Sequence, residues 1–213
     1  MGNRTVLGVF ETILYKKYIE TVPDSGKHIL AYQTDDSLVV YMAFNDAIAD
    51  YAVEHQKLGG DSFSFNRMSW IKPGFLWMMY RSGWADKENQ NRILALWISK
   101  KDFEKILSQT VHSSFDEKVY GSRENWRLEL KTKKVRLQWD PDHDPHGNNL
   151  ERKAIQLGLK GKMLRLFATG MVMKIEDVTE FVKTQKNILK SSGVGNLMIP
   201  NETVFKSLTT ALL

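Results

Sequence analysis

The sequence predicts an α+β fold: a single compact domain with a mixed or mainly antiparallel sheet and helices packed against it. Three observations carry that prediction. Short β-rich runs and amphipathic helical stretches follow the order β-β-α-α-β-α-α-β-β-α-β-α, which lacks the regular βαβ alternation of a doubly wound sheet. The length of 213 residues fits one domain, and ten Phe, seven Tyr and six Trp supply a large core. No GxGxxG or GxxxxGK[ST] phosphate loop occurs, which sets aside Rossmann and P-loop architectures.

Ile29 to Gln33 and Leu38 to Phe44, split by the turn cluster Thr34-Asp35-Asp36-Ser37, predict a hairpin. Asn45 or Asp46 then caps a helix running to about Lys57, because its side-chain oxygen accepts first-turn amides that lack partners. Ile48, Ala49, Ala52 and Val53 share one face of that helix, and Gly59-Gly60 ends it. Pro73 starts a second helix, since its fixed φ and missing donor suit the first position. Phe75, Leu76, Trp77, Met78 and Met79 make this helix apolar all round and therefore buried. Arg92 to Ile98 reads as a buried strand, and Ser99-Lys100-Lys101-Asp102 resembles a capping box before a helix with Phe103, Ile106 and Leu107 inward. Ser122 caps another helix. Val135 to Trp139 alternates cleanly, with Arg136, Gln138 and Asp140 on the face opposite Val135, Leu137 and Trp139. Ala154 to Leu159 is a strand, Gly161 to Gly170 brackets a helix, Met171 to Ile175 is a strand, and Asp177-Val178-Thr179-Glu180 opens a last long helix. Residues 1–190 form the domain. From Ser191 onward Gly, Ser, Asn and Pro become frequent before Leu212-Leu213, so residues 191–213 are expected to be a loosely packed or extended C-terminal tail.

Composition narrows the chemistry. The chain has no cysteine, which excludes disulfides, thiolate zinc sites, iron–sulfur clusters and cysteine nucleophiles. Thirty Lys and Arg against 25 Asp and Glu give a net charge of +5, mildly favouring an anionic partner. No apolar run approaches the roughly 18 residues a spanning helix needs, and no secretion signal is read in the first residues. The expectation is a cytoplasmic or nuclear protein without membrane contact. The triplets Asn3-Arg4-Thr5 and Asn201-Glu202-Thr203 are then chance matches to a glycosylation site.

The densest chemistry lies between Arg67 and Trp84: Arg67-Met68-Ser69-Trp70-Ile71-Lys72-Pro73, then Tyr80-Arg81-Ser82-Gly83-Trp84. Arg offers a planar fork matched to phosphate, and Trp a stacking surface for a base or nicotinamide. Arg81, one turn after Trp77, is placed to stack on that indole while keeping donors free. The competing expectation is structural packing, because Trp and Met at helical spacing are usually core. A second constellation, Arg136 to His146, puts Asp140 at an expected strand end, where a carboxylate accepts a hydroxyl, stabilises positive charge or acts as a base. A solvated strand end followed by an Asp-Pro turn is the competing expectation there. Asp140, Asp142, Asp144 and Glu151 fall at calcium-loop positions, but Pro145 occupies the glycine position, so no metal is predicted. His143 and His146 read as a solvated cluster. His28, His55 and His112 accompany no nucleophile motif, which gives a Ser-His-Asp hydrolase little support. Two basic segments, Lys118 to Arg136 and Arg152 to Arg165, suit a phosphodiester backbone or simply solvated faces.

Tyr41-Met42-Ala43-Phe44-Asn45, the Arg67–Pro73 and Phe75–Trp84 segments and Val135-Arg136-Leu137-Gln138-Trp139-Asp140-Pro141 resemble the hallmark segments of domain-of-unknown-function family 4291. The resemblance continues through Ile155–Leu159 and Ile175–Thr179, covering about residues 28 to 182. Gly74 stands where Ser is more usual, and Met42 where Gln is. Membership implies no activity. At the level of layout the chain is also similar to ADP-ribosyltransferase-like folds: Leu38–Phe44, Arg67–Trp70 and Gln138-Trp139-Asp140 follow the order of their NAD-contacting, Ser/Thr-aromatic and acidic strands. Gln138-x-Asp140 resembles their Gln-x-Glu, shortened by one methylene. This likeness is an analogy of fold.

Two readings follow. The first is a nucleotide-directed enzyme, most concretely an ADP-ribosyltransferase-like transferase using NAD. In it Arg67, Lys72 and Arg81 hold phosphates, with Ser69, Trp70, Tyr80, Ser82, Trp84, Arg136 and Gln138 binding substrate. Asp140 and Arg81 are its catalytic pair, with Asp140 stabilising an oxocarbenium-like ribose or orienting the acceptor. The second is a non-catalytic RNA- or nucleotide-binding module using the same basic–aromatic surface. Convergence of the polar groups in one deep pocket favours the enzyme; cations along an open groove favour the module.

Overall fold

The computed structural model describes residues 6, 7 and 10–208. The Asn3-Arg4-Thr5 triplet and the Leu212-Leu213 end lie outside the described residues. In chain order the elements are β1 (Val6–Leu7), β2 (Phe10–Leu14), α1 (Tyr15–Tyr18), β3 (Gly26–Lys27), β4 (Leu30–Ala31), β5 (Ser37–Phe44), α2 (Asp46–His55), β6 (Ser69–Ile71) and α3 (Phe75–Ser82). Then come β7 (Arg92–Ser99), α4 (Lys100–Ser108), β8 (Thr110–His112), α5 (Glu117–Tyr120), α6 (Arg123–Thr132), β9 (Val135–His143), β10 (Asn149–Leu159) and α7 (Gly161–Leu166). A π turn (Phe167–Met171) leads to β11 (Val172–Asp177), α8 (Thr179–Ser192), β12 (Met198–Pro200) and β13 (Thr203–Val204). None of the described helices is long and apolar enough to cross a membrane.

Two sheets carry the domain. One is antiparallel, in the order β11-β7-β5. The other is mixed: β10 pairs antiparallel with β9, β9 runs parallel to β8, and the far edge of β10 receives β3 at one end and β6 at the other. A bridge joins them: the Tyr41 amide donates to the Lys72 carbonyl at 2.7 Å, and the Lys72 amide donates back at 3.1 Å.

The alternation of β5 and β7 explains why there are two cores, because successive side chains leave opposite faces of the sheet. Val40, Met42, Leu94 and Leu96 point into the first core, with Ala49 and Ala52 of α2 and Phe103 and Ile106 of α4. Val39, Tyr41, Ile93 and Ala95 point into the second, with Phe75, Met78 and Met79 of α3 and Val182 of α8. Trp139 packs against the first core and α3 lies in the second, so the strand and the helix do not share the one core that their apolarity suggests.

Three helix starts follow the capping chemistry read in the sequence, whereas α3 begins at Phe75 behind Gly74 and not at Pro73. Asn45 accepts from the Ile48 amide at 3.1 Å, Ser99 from Asp102 at 3.0 Å and Ser122 from Asn125 at 3.2 Å. The end of α2 differs. Gln56, not a glycine, takes the left-handed conformation with φ 51°. Its side-chain oxygen accepts from the Ile175 amide at 2.8 Å and its amide donates to the Ile175 carbonyl at 3.0 Å, so Gln56 acts as a partner for the edge of β11. Strand β9 also runs past its expected end: Asp140 sits inside it, because pairing with β10 continues through Asp140↔Ala154 and Pro141↔Lys153.

The segment after Ser191 is stitched into the fold through residue 205. Met198–Pro200 pairs with β2 and Thr203–Val204 with β4, while Leu197 and Ile199 are fully buried. Glu202 is buried and its carboxylate accepts from the Phe75 amide at 2.7 Å and the Tyr18 hydroxyl at 3.3 Å. It thereby satisfies an otherwise unpaired amide at the start of α3, which has no side-chain cap of its own.

Candidate functional site

Past the Tyr41–Lys72 bridge, β5 pairs only with β7 and β6 only with β10 among the described strands. Their ends both border a cleft of about 490 Å³, with Met42 to Asn45 on one side and Arg67 to Trp70 and Lys72 on the other. Met78 and Arg81 from α3, with residues 62–64 and 88–90, complete most of its lining. The cleft is therefore the place where two half-sheets part.

Of the residues singled out in the sequence, Arg67, Ser69, Trp70, Lys72 and Arg81 line this cleft. Lys72 is 7% exposed, and its amine reaches the Trp70 carbonyl at 3.5 Å. Burial pulls its pKa down to about 7; the positive charge of Arg81 adds to the effect and the carboxylate of Asp140 opposes it. Lys72 thus feels both groups of the expected catalytic pair. Arg67, Lys72 and Arg81 form no ion pair among the described residues. Three cations border one concavity without a carboxylate held to any of them, although Glu88 also lines it.

Asp140, Gln138 and Gln156 do not line the cleft, and their placement relative to Lys72 follows from strand register. Trp70 stands beside Gly158, and Gly158 beside Arg136 on the next strand. Extending β6 by one residue sets Lys72 level with Gln156, which pairs with Gln138. Lys72, Gln156, Gln138 and Asp140 therefore share the face opposite the apolar Leu137, Ile155 and Leu157. Gln138 donates to one oxygen of Asp140 at 2.8 Å and Gln156 to the other at 2.9 Å. Gln156 escaped the sequence reading, although its place between apolar Ile155 and Leu157 marked it for the polar face. Gly158 permits close approach: a Cβ there would lie 2.5 Å from the Met68 sulfur and 3.1 Å from the tip of the Trp70 ring, so the flexible Met68 side chain would have to shift.

The other expected site residues go elsewhere. Tyr80 and Trp84 border a separate cavity of about 550 Å³ beside Lys186 and Lys190. Trp84 donates its indole N–H to the Pro145 carbonyl at 3.2 Å. Ser82 is fully buried and donates to the Met78 and Met79 carbonyls, which makes it part of the helix end. Arg136 donates to the Lys133 and Leu130 carbonyls, closing the end of α6. Gln138 borders a third cavity, of about 360 Å³, beyond the end of β8. Trp77 stacks on Tyr80 and His143, with ring centroids 5.5 and 5.3 Å away, and not on Arg81. No cluster of three or more metal-ligating side chains exists among the described residues.

A family model described as "Domain of unknown function (DUF4291)" matches residues 28–205. No curated protein matches the chain.

Proposed function

Because the chain belongs to the DUF4291 family, whose description assigns no activity, we propose a function from the chemistry of the cleft. It is a nucleotide-directed enzyme, in its most concrete form an ADP-ribosyltransferase-like transferase that takes NAD. The observation that carries this reading is Lys72, a buried amine at the wall of a cleft flanked by two arginines that no carboxylate neutralises. A desolvated amine with two exposed arginines beside it is stabilised by an anion, and Arg matches a pyrophosphate with a planar fork. Trp70, half-buried on the same wall, offers a ring face to a base or nicotinamide.

In this reading Arg67 and Arg81 hold the phosphates, and Lys72 adds a charge that ligand binding itself favours. NAD supplies an N-glycosidic bond whose cleavage releases neutral nicotinamide and leaves an electron-poor ribose carbon for an acceptor. Asp140 stabilises that positive charge, and Gln138 and Gln156 fix the orientation of its carboxylate.

Titration with NAD, ADP and ATP tests the reading, and binding of none at millimolar concentration overturns it. Arg81→Lys keeps the charge and loses the fork, so affinity should fall about tenfold with little change in melting temperature. Asp140→Asn should reduce turnover more than binding, since the carboxylate acts on a charge that develops only in the transition state. One observation favours the second reading, a non-catalytic nucleotide- or RNA-binding module: both oxygens of Asp140 already accept amide donors. Full nucleotide binding with no turnover on a panel of acceptors would select it.

A further inference from the structure

The two basic segments of the sequence meet at one end of the mixed sheet. Val135 pairs with Leu159, which sets Lys134 next to Lys160; the Lys160 amide donates to the Lys134 carbonyl at 3.2 Å. Arg136 follows on the same strand, and Lys162 and Arg165 continue the positive charge along α7. None of these five cations is in an ion pair among the described residues. They crowd one another: Arg136, then burial, then Lys134 lower the pKa of Lys160. Such mutual repulsion on a folded surface is relieved by polyanions.

The cations are also held in place. Lys134 donates to the Lys131 carbonyl at 3.0 Å, and Arg136 bonds the Lys133 and Leu130 carbonyls, so the free end of α6 fixes both side chains. A path leads from them to the cleft. The Trp70 ring tip lies over Gly158, the immediate strand neighbour of Arg136. Two strand spacings, about 10 Å, separate the Trp70 and Arg136 backbones. On the other flank, Arg165 lies over the Phe65 ring at 4.7 Å, and Phe65 meets Phe63 at the cleft wall.

We propose that this ridge of Lys134, Arg136 and Lys160 binds the backbone of a single-stranded nucleic acid whose terminal nucleotide enters the cleft past Trp70. The proposal rests on the reading of the cleft as a nucleotide site and names its substrate class. One feature favours a single strand over a duplex or an acidic protein: the Trp70 ring lies between the cations and the cleft. Successive bases stack on exposed aromatic rings while cations track the phosphates, an arrangement a base-paired strand does not offer.

The test is fluorescence anisotropy with a labelled ten-nucleotide single strand, as RNA and as DNA, alongside ADP binding by calorimetry. The variant is Lys134→Gln/Lys160→Gln, which leaves the helix-closing Arg136 and every cleft residue intact. Affinity for the oligonucleotide should drop about tenfold at 0.1 M salt, and the slope of log K against log salt should flatten by about 1.4, since each phosphate on a single strand contributes about 0.7. ADP affinity should stay the same. The RNA and DNA arms show whether the 2′-hydroxyl matters. An oligonucleotide bound no more tightly than ADP, or an unchanged slope in the variant, overturns the ridge and leaves the cleft reading standing. ADP without measurable binding overturns the cleft reading and, with it, the entry of a terminal nucleotide.

Discussion

Lys72 and Glu202 are buried ionisable groups that both lie near the start of α3, and they tilt stability with pH in opposite directions. Burial raises the Glu202 pKa from 4.5 to about 8; the carboxylate of Asp142 adds to it, while the Phe75 amide and other neighbours oppose it. The folded state therefore holds a proton that the unfolded chain has released, so this contribution is complete below pH 4.5 and is lost as pH rises to about 8. Lys72 is the reverse: neutral in the fold from about pH 7, charged in the unfolded chain up to 10.5, it adds stability as pH climbs through that window and subtracts it below. Each limb has a limiting slope of about 1.4 kcal/mol per pH unit. Glu202→Gln, which retains an oxygen for the Phe75 amide, should flatten the acid-to-neutral limb of the chemical-denaturation profile. Lys72→Met should flatten the neutral-to-alkaline limb. Parallel profiles for wild type and both variants would mean that neither group is as desolvated as its surroundings indicate. Ligand binding adds an independent readout: an anion in the cleft favours charged Lys72, so binding above pH 7 should take up a proton in wild type and not in Lys72→Met.

Helix α3 shows how a single element serves the core and the site at once. Phe75, Met78 and Met79 anchor it, Arg81 faces the cleft, and Trp77, 4% exposed, lies beside the stacked Tyr80 and His143 rings. Trp77→Ala should cost about 3–5 kcal/mol, read as a lower melting temperature; an unchanged melt would remove this aromatic cluster from the stability account. Gln56→Ala strips both partners from Ile175 at the edge of β11, at about 1–3 kcal/mol. The element-scale features legible in the sequence were those with a periodic or capping signal: β5, β7, β9, α3, α4 and the caps Asn45, Ser99 and Ser122. Those that were not legible lack any local signal. β6 and β12 have three residues each and β13 has two, so no alternation can accumulate, and they exist because β10, β2 and β4 offer edges. Gln56 is invisible for the same reason, since its partner is 119 positions away. In the candidate site, the residue types around Arg67–Lys72 and Gln138–Asp140 were readable, because a guanidinium, an amine, an indole and a carboxylate each carry their chemistry in the residue itself. Their arrangement was not, because strand register decides that Gln156 holds Asp140 and that Trp84 faces another cavity.

At the scale of the whole molecule, the fold closes through its last described residues. Strand β12 completes the sheet with β1 and β2, β13 pairs with β4, and Leu197, Ile199 and Phe205 bury their side chains in the two cores. The family match ends at residue 205, where Phe205 packs on Phe103 with ring centroids 5.2 Å apart. Glu104→Ala leaves all of these strand and core contacts in place and removes the bonds of Ser207 and Leu208 to Glu104. Those bonds lie at or near the surface, so the expected cost is about 1 kcal/mol or less, a shift of about 2–4 °C in melting temperature for a domain of this size. A chain ending at Gly195 loses three buried apolar side chains, at about 1.5–3 kcal/mol each, together with two strand pairings. It also leaves the Phe75 amide at the start of α3 without the Glu202 carboxylate. That sum is comparable to the roughly 5–15 kcal/mol by which a domain of ordinary stability is folded, so the shorter chain should show no cooperative thermal transition by circular dichroism. A cooperative melt near that of the full chain would make residues 196–206 an appendage and detach the start of α3, and with it the Arg81 wall of the cleft, from the C-terminal strands.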